Sequence, residues 1–337
     1  MKTVHSARQG TYVVTYDVAS RLQAFRSENL KVPYPHDQLF RNFYRILLEK
    51  MRHALPHATI HTIGMDKIRK KIWREVVARV QNPRKHAVVS ICPEIADSNP
   101  GGDSLILNVN RLFDARGELI GHGARPKSAH LDRQFESLAR KISKRSVVLI
   151  EDGAFTGGTL RFVLDKMNGL GLEISAVILG FCCVRADAVI RQVFAGELVI
   201  VDPLEGLIDW ISDHDLIPFL PNCGRVIGEP QQGGFMPVLT RSGESRAYPY
   251  ILPFGRMEKW ASLPLDGARD VSRFCLDTSI EIFGHIESNS SHQIVIGELL
   301  RACPKISIPI EIGAHEVLPP LNMPVVGYLR RMREKLD

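Results

Sequence analysis

The feature that most constrains this chain is an alternation of short aliphatic runs with amphipathic stretches between residues 87 and 202. The runs are almost continuous in Val, Ile and Leu, which is typical of strands covered on both faces. Strands that alternate with helices predict a mainly parallel α/β sheet flanked by helices, and such sheets bind ligands at the carboxyl ends of their strands. The predicted strands are AVVSI from 87, SLILNV from 104, SVVLI from 146, ISAVILGF from 174 and ELVIVD from 197, and the predicted crossover helices are LDRQFESLARKI, TLRFVLDKMNGL and ADAVIRQVFAG.

Two regions with different residue patterns flank this alternation. From Tyr34 to His86, apolar residues recur at three- and four-residue spacing in two segments, which predicts helices. After about residue 230 the chain is rich in Pro and Gly before helical patterns resume. We therefore predict a helical N-terminal region (1–85), an α/β core (86–230) and a small C-terminal accessory subdomain (231–337).

Composition limits the class of protein. With 45% hydrophobic and 24% charged residues, the chain falls within the range of folded globular proteins. No run approaches the roughly 18 apolar residues of a membrane span, and the N-terminus lacks the apolar stretch of a secretory signal. The six cysteines are scattered without a C-x-x-C pair, so disulfides and structural zinc are not expected. We expect a cytoplasmic protein with no membrane partner.

The formal net charge of +6 suits either a nucleic-acid partner or an enzyme that binds a polyphosphate. The segment MDKIRKKIWREVVARV, which begins at Met65, concentrates basic residues on a predicted helix. Because Trp73 is the only aromatic residue among these charges, a solvated helix face is favoured over a nucleic-acid surface. A nucleic-acid partner is therefore not expected.

The stretch SVVLIEDGAFTGGTLRFVL, residues 146–164, carries the chemistry. A buried strand ends in Glu151 and Asp152, and the TGGT sequence then opens a helix. Backbone N–H groups, threonine hydroxyls and the positive end of the helix dipole meet there, which suits a phosphate. Gly157 and Gly158 have no Cβ, so the backbone can approach that anion closely. Two acids beside an anion site make sense if they accept hydrogen bonds from sugar hydroxyls and help hold a divalent cation.

Two other phosphate-binding motifs do not fit this stretch. A P-loop requires a lysine that is missing here, and the dinucleotide fingerprint G-x-G-x-x-G has a different glycine spacing. A sugar-phosphate site remains. Four apolar residues, two acids, three variable residues and then TGGT resemble the phosphoribosyl pyrophosphate (PRPP) signature of type I phosphoribosyltransferases, and the resemblance covers about residues 86–228.

This resemblance implies roles for the signature residues. The two acids would contact the ribose 2′- and 3′-hydroxyls with Mg²⁺ nearby, and the loop that follows would wrap the 5′-phosphate. Phe155 stands where members that use 6-oxopurines have an aspartate, which argues against hypoxanthine or guanine and removes the obvious general base from the loop. The implied PRPP-binding residues are Glu151, Asp152, Gly153, Ala154, Phe155, Thr156, Gly157, Gly158 and Thr159, with Asp152 as the metal ligand.

The resemblance also implies two loops upstream of the signature. The stretch CPEIADSNPGGDS is the candidate pyrophosphate loop, with Gly101 and Gly102, although its acids would suit pyrophosphate only through magnesium. The stretch RGELIGHGARPKSAHLDR is the candidate mobile basic loop, in which Arg125, Lys127 and His130 would neutralise the departing pyrophosphate. An ordinary solvated turn is the alternative for this second stretch.

The acceptor is the least defined part of the prediction. Trp210 either stacks on a nucleobase or packs in the core. The leading hypothesis is a Mg²⁺-dependent transfer of the 5-phosphoribosyl group from PRPP to a nitrogen of a small base-like acceptor, in a chain that forms a homodimer by analogy with the family. The alternative is a non-catalytic protein that senses PRPP or a nucleotide and has a nucleic-acid or protein partner.

Overall fold

A computed structural model describes residues 10–28, 30–96, 104–232, 234–313 and 318–337. The described chain has a mixed α/β fold with parallel sheets, which confirms the predicted class. In chain order the strands are β1 (Gly10–Tyr16), β2 (Ala58–Gly64), β3 (His86–Ser90), β4 (Leu105–Ile106), β5 (Val109–Phe113), β6 (Leu119–Ala124), β7 (Ser146–Ala154), β8 (Ile174–Cys182), β9 (Glu197–Ile200), β10 (Leu207–Ser212), β11 (Arg225–Val226), β12 (Gly228–Gln231), β13 (Gly234–Pro237), β14 (Arg246–Tyr248) and β15 (Ile308–Pro309).

The helices bury one apolar face each, as their residue spacing predicts. None of the described helices is both long enough and apolar enough to cross a membrane. In chain order they are α1 (Val18–Arg21), α2 (Gln38–Ala54), α3 (Met65–Arg79), α4 (Pro93–Ala96), α5 (Leu131–Ile142), α6 (Gly158–Gly169), α7 (Val184–Arg191), α8 (Met257–Trp260), α9 (Leu265–Ser290), α10 (Ile296–Ala302) and α11 (Val325–Glu334), with 3-10 turns at Leu22–Glu28 and Asp213–Leu216.

A five-stranded parallel sheet forms the predicted core, in the order β4-β3-β7-β8-β9. The residues of β7 from Val147 to Ile150 are all buried, because helices cover both faces of the sheet. The apolar residues of α3 pack with Val148 and Ile150 on one face. Those of α5 and α6 pack with Val147 and Leu149 on the other. The aliphatic runs therefore mark the strands of this sheet, as predicted. Three of them give the inner strands β3, β7 and β8, and the other two give the edge strands β4, which has only two residues, and β9.

The N-terminal region corrects a prediction, because it contains strands as well as helices. Strand β1 lies between β2 and β10 in a second parallel sheet, with Val13 opposite both His61 and Trp210. Polar residues interrupt both N-terminal strands, TYVVTY and ATIHTIG, so neither has the continuous aliphatic pattern of the core strands. The third strand, β10, belongs to the segment predicted as core.

The β5–β6 hairpin overlaps the predicted mobile basic stretch (116–133), which contains its turn and β6 but not β5. It belongs to a four-stranded sheet of order β12-β13-β6-β5. Its turn is held by the Asp114 carboxylate, which accepts hydrogen bonds from the backbone N–H groups of Arg116 and Glu118, both at 2.9 Å. Glu118 also pairs with Arg256 at 2.9 Å and Lys259 at 3.0 Å. The hairpin tip is therefore docked on the C-terminal region.

The largest hydrophobic core joins the two ends of the chain. Aromatic residues of α2 and its preceding turn pack against α9, with ring centroids 5.9 Å apart for Phe43 and Phe274 and 6.4 Å apart for Phe25 and Phe283. Burial of such rings is worth about 2 to 3 kcal/mol each. The N-terminal and C-terminal regions thus stabilise each other directly.

Candidate active site

A cavity of about 520 Å³ lies at the carboxyl ends of strands from both parallel sheets. Its lining includes residues that follow β1 and β3, the ends of β7 and β10, and the loop that begins α6. The β5–β6 hairpin and the C-terminal region supply further walls. This is the position in which a parallel α/β sheet binds ligands, as the sequence predicted.

The TGGT loop borders this cavity at the N-terminus of α6. Gly157 has φ +76°, a left-handed conformation that favours glycine, and a Cβ there would lie 3.1 Å from the carbonyl oxygen of Ala186. The Thr156 hydroxyl accepts a hydrogen bond from the Gly158 N–H at 3.4 Å, and Thr156 is exposed. The Thr159 hydroxyl lies 3.3 Å from Nε2 of His122, which stacks on Phe162. The residues at the start of the helix therefore line the cavity, although Gly157 itself is buried against α7.

Glu151 and Asp152 lie near the carboxyl end of β7 and line the same cavity. Burial and then the neighbouring Asp152 raise the pKa of Glu151 well above its usual range, and Arg125 offsets this only in part. Burial also raises the pKa of Asp152. Within the described residues, Oε2 of Glu151 is buried without a hydrogen-bond partner. The acid pair therefore lacks sufficient positive charge from the protein itself.

A divalent cation fits this acid pair. Carboxylate oxygens are the preferred ligands of Mg²⁺, and the unpartnered oxygen of Glu151 offers one such ligand. A bound cation would also favour the charged forms of both carboxylates, against the burial that raises their pKa values. Glu151 and Asp152 are accordingly the residues that would hold it.

The three predicted catalytic cations lie in different places. Arg125 lines the cavity, and its Nη2 donates to the Ile91 carbonyl at 3.4 Å. Lys127 is exposed, and His130 caps α5 by accepting a hydrogen bond from the Asp132 N–H at 3.3 Å. Neither is among the cavity-lining residues of the described chain. Only Arg125 is thus brought together with the signature.

Trp210 borders the same cavity from β10. Its ring packs edge-on against Phe155 with centroids 6.2 Å apart, and a Cβ on Gly153 would lie 3.0 Å from the indole. The indole is only partly buried, so it packs on one side and faces the cavity on the other. Both predicted roles of Trp210 are therefore compatible with its position. The predicted pyrophosphate residues Gly101 and Gly102 lie outside the described residues.

A group of charged residues is paired beside the cavity, and the sequence did not reveal that these residues meet. Arg21 lies 2.5 Å from Asp17 and 3.1 Å from Glu94, and Glu94 also accepts from Asn222 at 2.8 Å. Burial alone would raise the pKa of Asp17, but His214 at 2.8 Å and Arg21 hold it well below its usual range. For Glu94, burial is likewise outweighed by Arg21 and then Arg125, so the pKa is lowered. We call Asp17, Arg21, Glu94, Asn222 and His214 the paired network.

Asp213 adjoins the paired network. Asp17, Asp213 and His214 are close enough to hold a metal ion. The Asp213 carboxylate, however, accepts hydrogen bonds from the backbone N–H groups of Asp17 at 2.9 Å and Val18 at 3.2 Å. Asp17 is already bound to Arg21 and His214. These contacts explain the cluster as a structural junction between β1 and β10.

A second unforeseen group consists of arginines, aromatic rings and Asp209. Burial raises the pKa of Asp209 to about 6, although its carboxylate accepts hydrogen bonds from Ser262 at 2.8 Å and the Trp210 N–H at 2.8 Å. No pattern in the sequence connects these residues, because they come from separate segments, namely β5, β10, β11 and the C-terminal region. The members that line the cavity are Arg111, Phe113, Asp209, Arg225, Tyr250 and Trp260.

Comparisons with known proteins add little to this geometry. No protein-family model matches the chain, and no curated protein matches it. Solved structures that it resembles include an adenine phosphoribosyltransferase with 9% identity, over 40% of this chain and 76% of that chain, at a TM-score of 0.25. A Saccharomyces cerevisiae adenine phosphoribosyltransferase, complexed with an imino-altritol bisphosphate and adenine, has 13% identity over 55% of this chain and 100% of that chain, at a TM-score of 0.26. A hypothetical protein from Neisseria gonorrhoeae with bound ppGpp has 9% identity over 44% and 81%, at a TM-score of 0.27. These scores are too low to support an argument about function.

Proposed function

We propose that the chain is a Mg²⁺-dependent phosphoribosyltransferase, which transfers the 5-phosphoribosyl group of PRPP to a nitrogen of a base-like acceptor and releases pyrophosphate. The observation that carries the proposal is that the acid pair, the glycine loop and Trp210 line one cavity of about 520 Å³. A cavity of this size suits a sugar phosphate together with a small ring. The residues arranged around it match the chemical parts of those two substrates.

The loop from Ala154 to Thr159 would bind the 5′-phosphate. Its glycine backbone allows close approach, and the N-terminus of α6 offers N–H groups and a favourable dipole. Glu151 and Asp152 would accept hydrogen bonds from the ribose hydroxyls. These contacts would fix the anomeric carbon relative to the acceptor, which is the main contribution a protein makes to such a transfer.

The departing pyrophosphate needs positive charge. A bound Mg²⁺ would supply electrostatic stabilisation of this leaving group. Arg125 is the described cation that lowers the pKa values of both Glu151 and Asp152, and it also lines the cavity. We assign Arg125 to the pyrophosphate side, while Lys127 and His130 reach it only if the segment that carries them moves.

The acceptor nitrogen must lose a proton as its bond to ribose forms. Phe155 provides no base at the position where related enzymes have an aspartate, but Asp209 lines the cavity beside Trp210. Burial raises the pKa of Asp209 to about 6, which suits a group that accepts a proton near neutral pH. We propose Asp209 as the proton acceptor.

A sensor of PRPP is the second candidate. It is favoured by the positions of Lys127 and His130, which are away from the cavity lining in the described chain. A sensor would bind PRPP tightly without releasing pyrophosphate in the presence of any acceptor. Calorimetry with PRPP and Mg²⁺, followed by a pyrophosphate-release assay, separates it from the enzyme.

The Asp152→Asn variant tests the shared core of both candidates. We expect PRPP affinity to fall by about 100-fold, because the variant loses a ribose contact and a metal ligand. The melting temperature should not fall, since the raised pKa of Asp152 means that its charged form is held at a cost. Isothermal titration calorimetry and a thermal melt measure the two effects.

The matched control is Asp165→Asn, which removes an exposed acid on α6 that pairs only with Arg161 among the described residues. This control should bind PRPP as the wild type does. Unchanged PRPP affinity in Asp152→Asn would remove the role assigned to the acid pair and, with it, the proposed function.

A further inference from the structure

Arg225 occupies an unusual place in the cavity wall. Its guanidinium carbon lies 4.6 Å from the ring centroid of Phe113, 4.8 Å from that of Tyr250 and 4.8 Å from that of Trp260. All three rings line the same cavity as Arg225. Aromatic rings cover the faces of a guanidinium and leave its N–H donors, which lie in its plane, free for other contacts.

Those donors lack an anionic partner in the described residues. The Arg225 side chain forms no ion pair or hydrogen bond there, and its buried Nε has no acceptor. Burial lowers the pKa of Arg225 to about 10, against the partial attraction of Tyr250. A buried arginine without a counter-ion is costly, and a ligand that carries the missing negative charge removes that cost.

The carboxylates nearest to Arg225 are already engaged elsewhere. Asp209 accepts from Ser262 and from its neighbour's N–H, and Asp215 accepts from the Gly224 N–H at 2.7 Å. Glu118, another acid of the cavity lining, pairs with two cations of the C-terminal region. Arg111 also lines the cavity without an ion pair to a described residue. Arg111 and Arg225 therefore lie in one wall of the cavity without an anionic partner among the described residues.

We propose that the acceptor is a planar nitrogen heterocycle that bears a carboxylate, and that Arg225 binds this carboxylate while the surrounding aromatic rings contact the heterocycle. The inference rests on the proposed function, since it names the substrate class for the same cavity. A planar carboxylate matches the fork of guanidinium N–H donors, which can bind it through two parallel hydrogen bonds.

Pyrophosphate, the other anion in the reaction, fits this wall less well. It needs many hydrogen-bond donors and a hydrated or metal-bound surface, whereas Phe113, Tyr250 and Trp260 offer a mainly apolar one. The planar Arg225 fork beside aromatic rings suits a flat ligand with one charged edge, and Arg111 is the other cation of this wall. The cation that acts on the acid pair is Arg125.

The test uses the full chain with ribose 5-phosphate and Mg²⁺ bound, so that no turnover occurs. Calorimetry compares two matched pairs of probes, nicotinate with nicotinamide and orotate with uracil. We expect each carboxylate to bind about 10- to 100-fold more tightly than its neutral counterpart, the range expected for hydrogen bonds to a charged group. In Arg225→Met, this preference should disappear, while the affinities for ribose 5-phosphate and inorganic pyrophosphate stay within about 2-fold.

Two further variants guard against a folding artefact. Arg246→Met is the matched control, because Arg246 also has a buried Nε without an acceptor in the described chain and does not line the cavity. It should keep the carboxylate preference. Arg225→Lys keeps the charge without the planar fork and should retain part of the preference.

The outcomes separate the two proposals. Equal affinity for the members of each pair, or no detectable binding of either carboxylate while ribose 5-phosphate binds, overturns the carboxylate assignment alone. If Arg225→Met loses affinity for inorganic pyrophosphate as strongly as it loses the carboxylate preference, Arg225 acts on the leaving group. This result also overturns the carboxylate assignment. Failure of the wild type to bind ribose 5-phosphate or PRPP overturns the proposed function itself.

Discussion

The paired network and the acid pair both contain buried carboxylates beside one cavity. The protein pairs the carboxylates of the first with a cation but leaves those of the second without one among the described residues. Asp17 and Glu94 have Arg21 within hydrogen-bond distance, and their pKa values lie below the usual range despite burial. Glu151 and Asp152 have only the partial effect of Arg125, and burial raises both of their pKa values. Repulsion from Asp152 adds to the shift of Glu151, and repulsion from Glu94 adds to that of Asp152. The first set is completed by the protein and the second is left for a ligand to complete.

This difference separates structural acids from functional ones. A carboxylate whose partners are all within the chain contributes to stability at neutral pH. A carboxylate held at a cost in the folded chain, without a partner for its oxygens, is a candidate functional group, and this describes the acid pair. Asp213 differs, because burial raises its pKa but backbone N–H groups bind its oxygens. The same reasoning applies to Arg225 with the opposite charge, because Arg225 is a buried cation without an anionic partner among the described residues.

Removing Arg21 should break the comparison, because the paired network would then resemble the acid pair. In Arg21→Met, Asp17 and Glu94 would remain buried without their shared cation. We expect the free energy of unfolding to fall by about 3 to 5 kcal/mol, as for other broken buried pairs. Urea denaturation measures the change.

The control for this variant is Arg45→Met, which breaks an exposed pair with Glu49. Its effect should stay below about 1 kcal/mol. If the two variants proved equally mild, the paired network would not be the structural junction inferred from its contacts.

Asp209 sharpens the comparison as a third acid without a cation in ion-pair range in the described chain. Its pKa of about 6 in the folded chain exceeds the value near 4 expected when unfolded. The protonated form of Asp209 therefore adds to the free energy of unfolding. This contribution is fully present below about pH 4 and is lost as the pH rises through about 6. In Asp209→Asn this loss should vanish, so the variant should gain roughly 2 kcal/mol relative to the wild type between about pH 4 and pH 7.

Urea denaturation across this pH range measures the difference, and turnover at pH 7 should fall in the same variant if Asp209 accepts the proton. Asp165→Asn again serves as the control and should parallel the wild type at every pH. A constant difference between Asp209→Asn and the wild type would show that Asp209 is not held at a cost.

Gly157→Ala probes the anion-binding side of the same region, with the smallest expected effect. The left-handed φ of +76° and the contact with the Ala186 carbonyl should cost about 1 to 2 kcal/mol of folding free energy. Gly171→Ala is the matched control, because Gly171 has φ +68° but no atom within 4 Å of an added Cβ. Both variants share the backbone strain.

Ribose 5-phosphate binding distinguishes the two glycines. Only Gly157→Ala should lose affinity, by about 10-fold, since only Gly157 lies in the loop that lines the cavity. Thermal melts and calorimetry measure the two effects. An equal affinity in both variants would argue against a phosphate at the start of α6.

The sequence predicted the parts of this molecule that are local in the chain. Residues 147–150 read as a covered strand because every position is aliphatic, and Glu151 to Thr159 read as a site because one strand and one helix place them together. Strands β1 and β2 were missed because polar residues interrupt them.

The rest of the cavity depends on contacts between distant segments. Arg21 meets Glu94 across 73 positions, and Arg225 meets rings at Phe113, Tyr250 and Trp260. No spacing rule connects such residues, because their proximity arises only after the two sheets and the C-terminal helices have assembled. The charge balance that distinguishes the paired network from the acid pair was therefore invisible in the sequence.

The place of β1 between β2 and β10 affects how the molecule is made. Thr15 meets Ser212 through a hydroxyl contact of 2.7 Å that joins residues 197 positions apart. On a ribosome, the first strand of the chain emerges long before its later neighbour has been translated. One flank of that strand must therefore stay unpaired, or be shielded by other parts of the nascent chain, until β10 has been translated.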